Sequence, residues 1–108
     1  MLPKEINIII QKNLRKILND IPADDILTEL LADGVISEYE VSKIKRIPDD
    51  KDKNFELLQI LKRRGQSDFY KFCNALKLHE TNNVQELGTF LENEANKALN
   101  INITTNLT

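Results

Sequence analysis

The chain has 108 residues, one cysteine and a formal net charge of −2; that length holds one hydrophobic core and excludes two independent ones. The charge argues against a general nucleic-acid binder, which needs a basic excess or one strong basic face, and a lone Cys73 excludes an internal disulfide and suits a reducing compartment. No apolar run approaches the roughly 20 residues that span a bilayer, and polar residues interrupt the N-terminal isoleucines, so a soluble cytoplasmic protein without a signal peptide or membrane partner is expected. Three glycines and three prolines among abundant Leu, Ile, Lys, Glu and Asn favour an all-α domain.

Pro3 opens a first segment in which Ile6, Ile10, Leu14, Ile17 and Ile21 recur at helical spacing, with Lys12, Arg15 and Lys16 on its outer face. Ile8 and Ile9 make its first half apolar nearly all round, which predicts a helix that bends or is flanked on two sides. Pro22 stops it. Asp24 and Asp25 then suit the positive end of a second helix carrying Ile26, Leu27, Leu30 and Leu31. Asp33-Gly34 ends that helix, and Val35 and Ile36 turn the corner into the core. Ser37 and Glu40 form a capping box for a third helix that faces inward through Val41 and Ile44 and ends before Pro48.

Asp49, Asp50 and Asp52, interleaved with Lys51 and Lys53, lead into Leu57, Leu58 and Leu61 on one face of a fourth helix. Lys62, Arg63 and Arg64 suit its C-terminus, Gly65 is placed for a left-handed cap, and Ser67 offers an N-cap to a fifth helix with Phe69, Phe72, Cys73 and Leu76 inward. Asn82 or Asn83 is the candidate cap of a last helix, with Glu86 near the capping-box position and an apolar face of Leu87, Phe90 and Leu91 extended by Ala95, Ala98 and Leu99. The reading is one domain over residues 1–100, six helices in a compact bundle, followed by a linker or frayed tail over 101–108. The tail's Asn102-Ile103-Thr104 and Asn106-Leu107-Thr108 glycosylation triplets are read as chance.

Little in the chain suggests chemistry. Cys73 shares the apolar face of Phe69, Phe72 and Leu76 and is expected to be buried and inert, and His79 is the only histidine. Metal-ligand spacing and Gly-rich phosphate loops are absent, and the aspartates of 49–52 lack the glycine and distal glutamate of a calcium loop, so neither enzyme activity nor a cofactor is expected. The charges, however, segregate. Residues 23–41 hold six acids and no base, whereas residues 1–19 hold Lys4, Lys12, Arg15 and Lys16 against Glu5 alone. Such runs are commonly only the solvated faces of amphipathic helices; the sharper alternative is head-to-tail association of an acidic patch with a basic one.

The order of these motifs resembles a caspase-recruitment domain (CARD) of the death-fold superfamily, with a pattern nearest to those of initiator caspases and apoptosome scaffolds. The residues that carry the resemblance are Ile26 to Ser37, the stretch Phe55 to Leu78 with its basic Gly corner and Phe69-Tyr70-Lys71-Phe72-Cys73-Asn74-Ala75-Leu76, and Leu87 to Leu91. Together they cover about residues 3–92. The resemblance implies a six-helix antiparallel Greek-key bundle, often with a bent first helix. It also implies homotypic binding to another CARD-containing protein (a caspase, scaffold or adaptor), or self-association into rings or helical assemblies, in apoptotic or innate-immune signalling. In such domains a basic surface on the first and fourth helices meets an acidic surface on the second and third. Matching positions are Lys12, Arg15, Lys16, Lys51 and Lys53 on the basic side and Asp24, Asp25, Glu29, Asp33 and Glu40 on the acidic side.

Phe55 departs from the pattern, because initiator-caspase members often carry an arginine there; it either weakens the basic face or is itself an exposed contact. The caspase catalytic domain is absent, so the resemblance carries no protease activity. Two alternatives remain: a CARD-only decoy that caps assemblies, suggested by the end at Thr108, and a helical nucleic-acid module using Lys43, Lys45 and Arg46, disfavoured by their acidic neighbours.

Overall fold

The computed structural model describes residues 1–100, all of whose regular structure is helical; the expected linker at 101–108 lies outside the described residues. The helices are α1 (Lys4–Lys12), α2 (Leu14–Asp20), α3 (Ala23–Ala32), α4 (Glu38–Lys45), α5 (Asp50–Arg63), α6 (Gln66–Lys77) and α7 (Asn82–Ala98). There are seven rather than six because the first predicted helix breaks at Asn13, whose backbone leaves helical geometry at φ −110°, ψ 14°. The Asn13 side chain donates 2.8 Å to the Ile9 carbonyl, a local bond of the kind by which asparagine competes with the helix ladder.

One core unites the elements. Its fully buried side chains include Ile6 and Ile10 of α1, Ile17 of α2, Ile26, Leu27 and Leu30 of α3, Ile44 of α4, Leu57, Leu58 and Leu61 of α5, and Phe69 and Phe72 of α6, which are the inward faces the spacing predicts. α3 ends in a Schellman motif. Gly34 takes φ +76°, Val35 N donates to Leu30 O at 2.9 Å, Gly34 N donates to Leu31 O at 3.1 Å, and Val35 is buried against the same turn. α4 opens with the predicted capping box: the Ser37 N–H reaches Glu40 Oε1 at 3.0 Å and the Glu40 N–H reaches Ser37 Oγ at 3.1 Å.

The corner between α5 and α6 differs from its prediction. Arg64 and Gly65 are both extended, Gly65 at φ −100°, so no left-handed cap forms there; Gly65 is instead the N-cap of α6, and Ser67 lies inside the first turn. α7 likewise starts one residue early, with Thr81 as its N-cap rather than Asn82 or Asn83. Phe90, predicted on the apolar face of that helix, is half exposed.

Two contacts fix how helices seat. Gly88 lets α7 approach the α6 backbone, for a Cβ there would lie 2.7 Å from Cys73 O and 2.9 Å from Lys77 N. Asn54 of α5 is buried and its Nδ2 donates to Leu18 O (3.1 Å) and Ile21 O (3.0 Å), satisfying carbonyls left open where Pro22 ends α2. Gly88→Ala should therefore lower stability by about 1–3 kcal/mol in denaturant titration despite alanine's better helix propensity, because the clash is with backbone. Asn54→Ala should cost about 2–3 kcal/mol, since it leaves both carbonyls unpaired.

Candidate interaction surfaces

Lys12 sits in the last turn of α1 and Arg15 and Lys16 in the first turn of α2, so the break at Asn13 brings three exposed cations to one bend. Lys16 lies 3.8 Å from Asp20, a long surface pair of little energetic consequence. Lys51, in the first turn of α5, is also exposed. Lys53, expected to point outward with it, does not: its side chain is only 11% exposed, and its Nζ lies 3.1 Å from Asp24 and 3.7 Å from Asp50. Lys53 stands four residues before Leu57, close to the inward stripe of α5, and burial of its stem carries its ammonium to the start of α3.

On the acidic side, Asp24 is held to Lys53 although its own side chain stays 57% exposed. Glu40 is paired too, because Arg64 Nη2 lies 2.7 and 2.6 Å from its two carboxylate oxygens while Ser37 donates to the same group. Burial alone would raise the Glu40 carboxyl, but the Ser37 backbone N–H, the Arg64 charge and the Ser37 hydroxyl outweigh it and hold the group below its ordinary value of 4.5. Asp25 and Glu29 of α3 and Asp33, its C-cap, form a stripe of exposed carboxylates at four-residue spacing. Asp25 Oδ2 also lies 3.0 Å from His79 Nε2, and the Thr81 N–H donates to His79 Nδ1, so a neutral ring satisfies both partners when it donates from Nε2. Neither this bridge nor the Arg64 pair is legible from spacing, since the partners lie far apart in the chain.

The stripe borders a cleft of about 440 Å³ between α3 and the end of α6, lined by Asp25, Thr28, Glu29, Ala75, Leu78 and His79. A smaller groove of about 220 Å³ lies between α1, α2 and α5, where Phe55, 47% exposed, meets Asn7, Gln11, Leu14, Gln59 and Lys62. Lys43, Lys45 and Arg46 are exposed on and just after α4, and Lys43 shares a third cleft with Glu40, Glu56 and Arg63. Cys73 is fully buried, and that burial pushes its thiol far above the ordinary range, so it carries no nucleophile.

A family model described as "CARD: Caspase recruitment domain" matches residues 9–89 of the chain. No curated protein and no solved structure gives a significant match.

The Glu40 geometry makes a prediction about acid. A carboxyl whose native pKa is depressed contributes stability above its unfolded value and loses it as pH falls through the native one. Glu40→Gln should thus be less stable than wild type at neutral pH by about 1 kcal/mol, after allowance for solvent screening of a part-exposed pair. The gap should close as pH falls below 4.5; denaturant titrations at both pH values check it, and a constant gap contradicts it.

Proposed function

The chain belongs to the caspase recruitment domain family, whose members are homotypic protein-interaction modules of the death fold, and from that premise we propose that it recruits or clusters a caspase, scaffold or adaptor through oppositely charged surfaces. We read α1 and α2 as halves of the bent first helix of a six-helix antiparallel Greek-key bundle. The basic surface is then Lys12, Arg15 and Lys16 at the bend with Lys51 of α5, and the acidic surface is Asp25, Glu29 and Asp33 of α3. Lys53 and Glu40 hold the fold and contribute charge to it rather than to a partner, while Asp24, paired with Lys53 but exposed, borders the acidic surface. The observation that carries this reading is that Lys12, Arg15 and Lys16 are exposed together at the bend while Asp25, Glu29 and Asp33 are exposed along α3 and its C-cap, in a stretch from residue 23 to 41 that holds no base.

Each ion pair at such a rim is worth about 0–1 kcal/mol, so one contact is weak and salt-sensitive, and clustering supplies the avidity a signalling switch needs. Apoptotic or innate-immune signalling in the cytoplasm is the setting that fits the family. The same surfaces would serve a decoy that caps an assembly instead of extending it. A nucleic-acid role through Lys43, Lys45 and Arg46 is disfavoured by Glu40 and Glu56 in the same cleft, and a mobility-shift assay at low salt should show no retardation.

Arg15→Glu with Lys16→Glu should weaken binding to a partner domain from a panel of purified CARDs by tenfold or more, with no fall in melting temperature because both side chains are exposed. Titration calorimetry or surface binding reads the affinity. Unchanged binding of every partner found would overturn the reading.

A further inference from the structure

His79, the only histidine of the chain, joins three elements through one ring. Its backbone continues the end of α6, where its N–H donates to Leu76 O at 3.1 Å, and its side chain is only 12% exposed. Nδ1 accepts the N–H of Thr81, the N-cap of α7, at 3.1 Å, and Nε2 lies 3.0 Å from Asp25 Oδ2 in the first turn of α3. A backbone N–H can only donate, so Nδ1 holds a lone pair and the single proton of the neutral ring sits on Nε2. The arrangement is complete only while the ring is neutral. A second proton has one place to go, Nδ1, and there it meets another donor.

The charges around the ring are one-sided. Asp25 and Glu29 of α3 and Glu80 of the corner line the same cleft, and no lysine or arginine does. Asp24 is held to Lys53, Lys77 of α6 is paired with Glu92 of α7, the first turn of α7 has no acid, and Glu86 lies with Lys16 in a separate groove. A charged ring therefore strengthens its bond to Asp25 at Nε2 while losing the one at Nδ1. α3 is anchored by the fully buried Ile26, Leu27 and Leu30, whereas Thr81 is exposed, so Thr81 is the side that gives way.

We propose that His79 is a proton-sensitive latch on the start of α7: neutral, it ties Thr81 to Asp25; charged, it keeps Asp25 and releases Thr81. The Val84 and Gln85 N–H groups both donate to Thr81 O, at 3.1 and 3.0 Å, so release of Thr81 loosens the first turn of α7. The loosening stops there, because the Gln85 side chain still donates to His79 O and Gly88 still seats α7 on α6. The latch needs no partner and stands or falls apart from the charge reading above.

Amide exchange and ¹⁵N ring spectra of the whole chain test this between about pH 7.5 and about pH 5.5, a range in which imidazoles take up protons and most carboxylates stay charged. At the upper pH the ring should show a bare Nδ1 and a protonated Nε2. As the ring titrates, the Thr81 amide proton should shift with it, and protection factors at Val84 and Gln85 should fall by about threefold or more. His79→Asn keeps an acceptor at the Nδ1 position that cannot be protonated, so its protection should stay level across the range. His79→Gln places its amide at the Nε2 position and leaves Thr81 without an acceptor, so its protection should be low at both ends. A neutral ring protonated on Nδ1, wild-type protection that does not change, a His79→Asn chain that loses protection as the wild type does, or a His79→Gln chain as protected as the wild type at the upper pH overturns the proposal.

Discussion

Two adjacent residues of α5 hold the corner on which the other elements depend. Asn54 donates to the carbonyls of Leu18 and Ile21, and Lys53 reaches Asp24 in the first turn of α3. Pro22 makes this necessary. It ends α2 and starts a new direction, so the last carbonyls of α2 have no helical donor and must be satisfied in a place that water does not reach. A buried amide with two N–H groups is suited to that task, and its cost is an Oδ1 with no partner among the described residues.

The consequence reaches the surface. α2 carries Arg15 and Lys16, α3 carries Asp25 and Glu29 and is capped by Asp33, and α5 carries Lys51, so the relation among the proposed contact surfaces is set by that seam. The same economy sorts the charges. Lys53 with Asp24, and Arg64 with Glu40, join elements within the molecule, while Lys12, Arg15 and Lys16 stay exposed at the bend around Asn13 and Asp25, Glu29 and Asp33 stay exposed along α3 and its C-cap. At the other end, Gly88 brings α7 against α6, and the His79 bridge from Thr81 to Asp25 ties that end back to α3.

Much of this was legible in the residues. The inward leucines and phenylalanines of α5 and α6, the Gly34 turn and the Ser37 capping box follow from local spacing and capping chemistry, which act within a few residues and so can be read there. What failed was decided by tertiary contact or by backbone freedom. Gly65 tolerates either sign of φ, and the chain took the extended one; Lys53 looked solvated because its neighbours are charged, although its position four residues before Leu57 placed it near the inward stripe. Asn54 lies on that stripe too, four residues before Leu58, and a lone amide there was a signal that a buried polar contact was needed. Gly88 inside an otherwise regular helix was likewise a mark of close approach. The pairs Arg64 with Glu40 and His79 with Asp25 join distant residues, and no local pattern announces them.

The proposed association uses the bend of α1 and α2 with Lys51 of α5 on one side and α3 with its C-cap on the other. The direct measurement is a concentration series of ¹⁵N-labelled chain followed residue by residue in amide spectra. The predicted result is that shifts and broadening grow at Lys12, Arg15, Lys16 and Lys51 and at Asp25, Glu29 and Asp33, and fade as salt is raised. Perturbation confined to Lys43, Lys45 and Arg46, or no perturbation at any concentration, would contradict it.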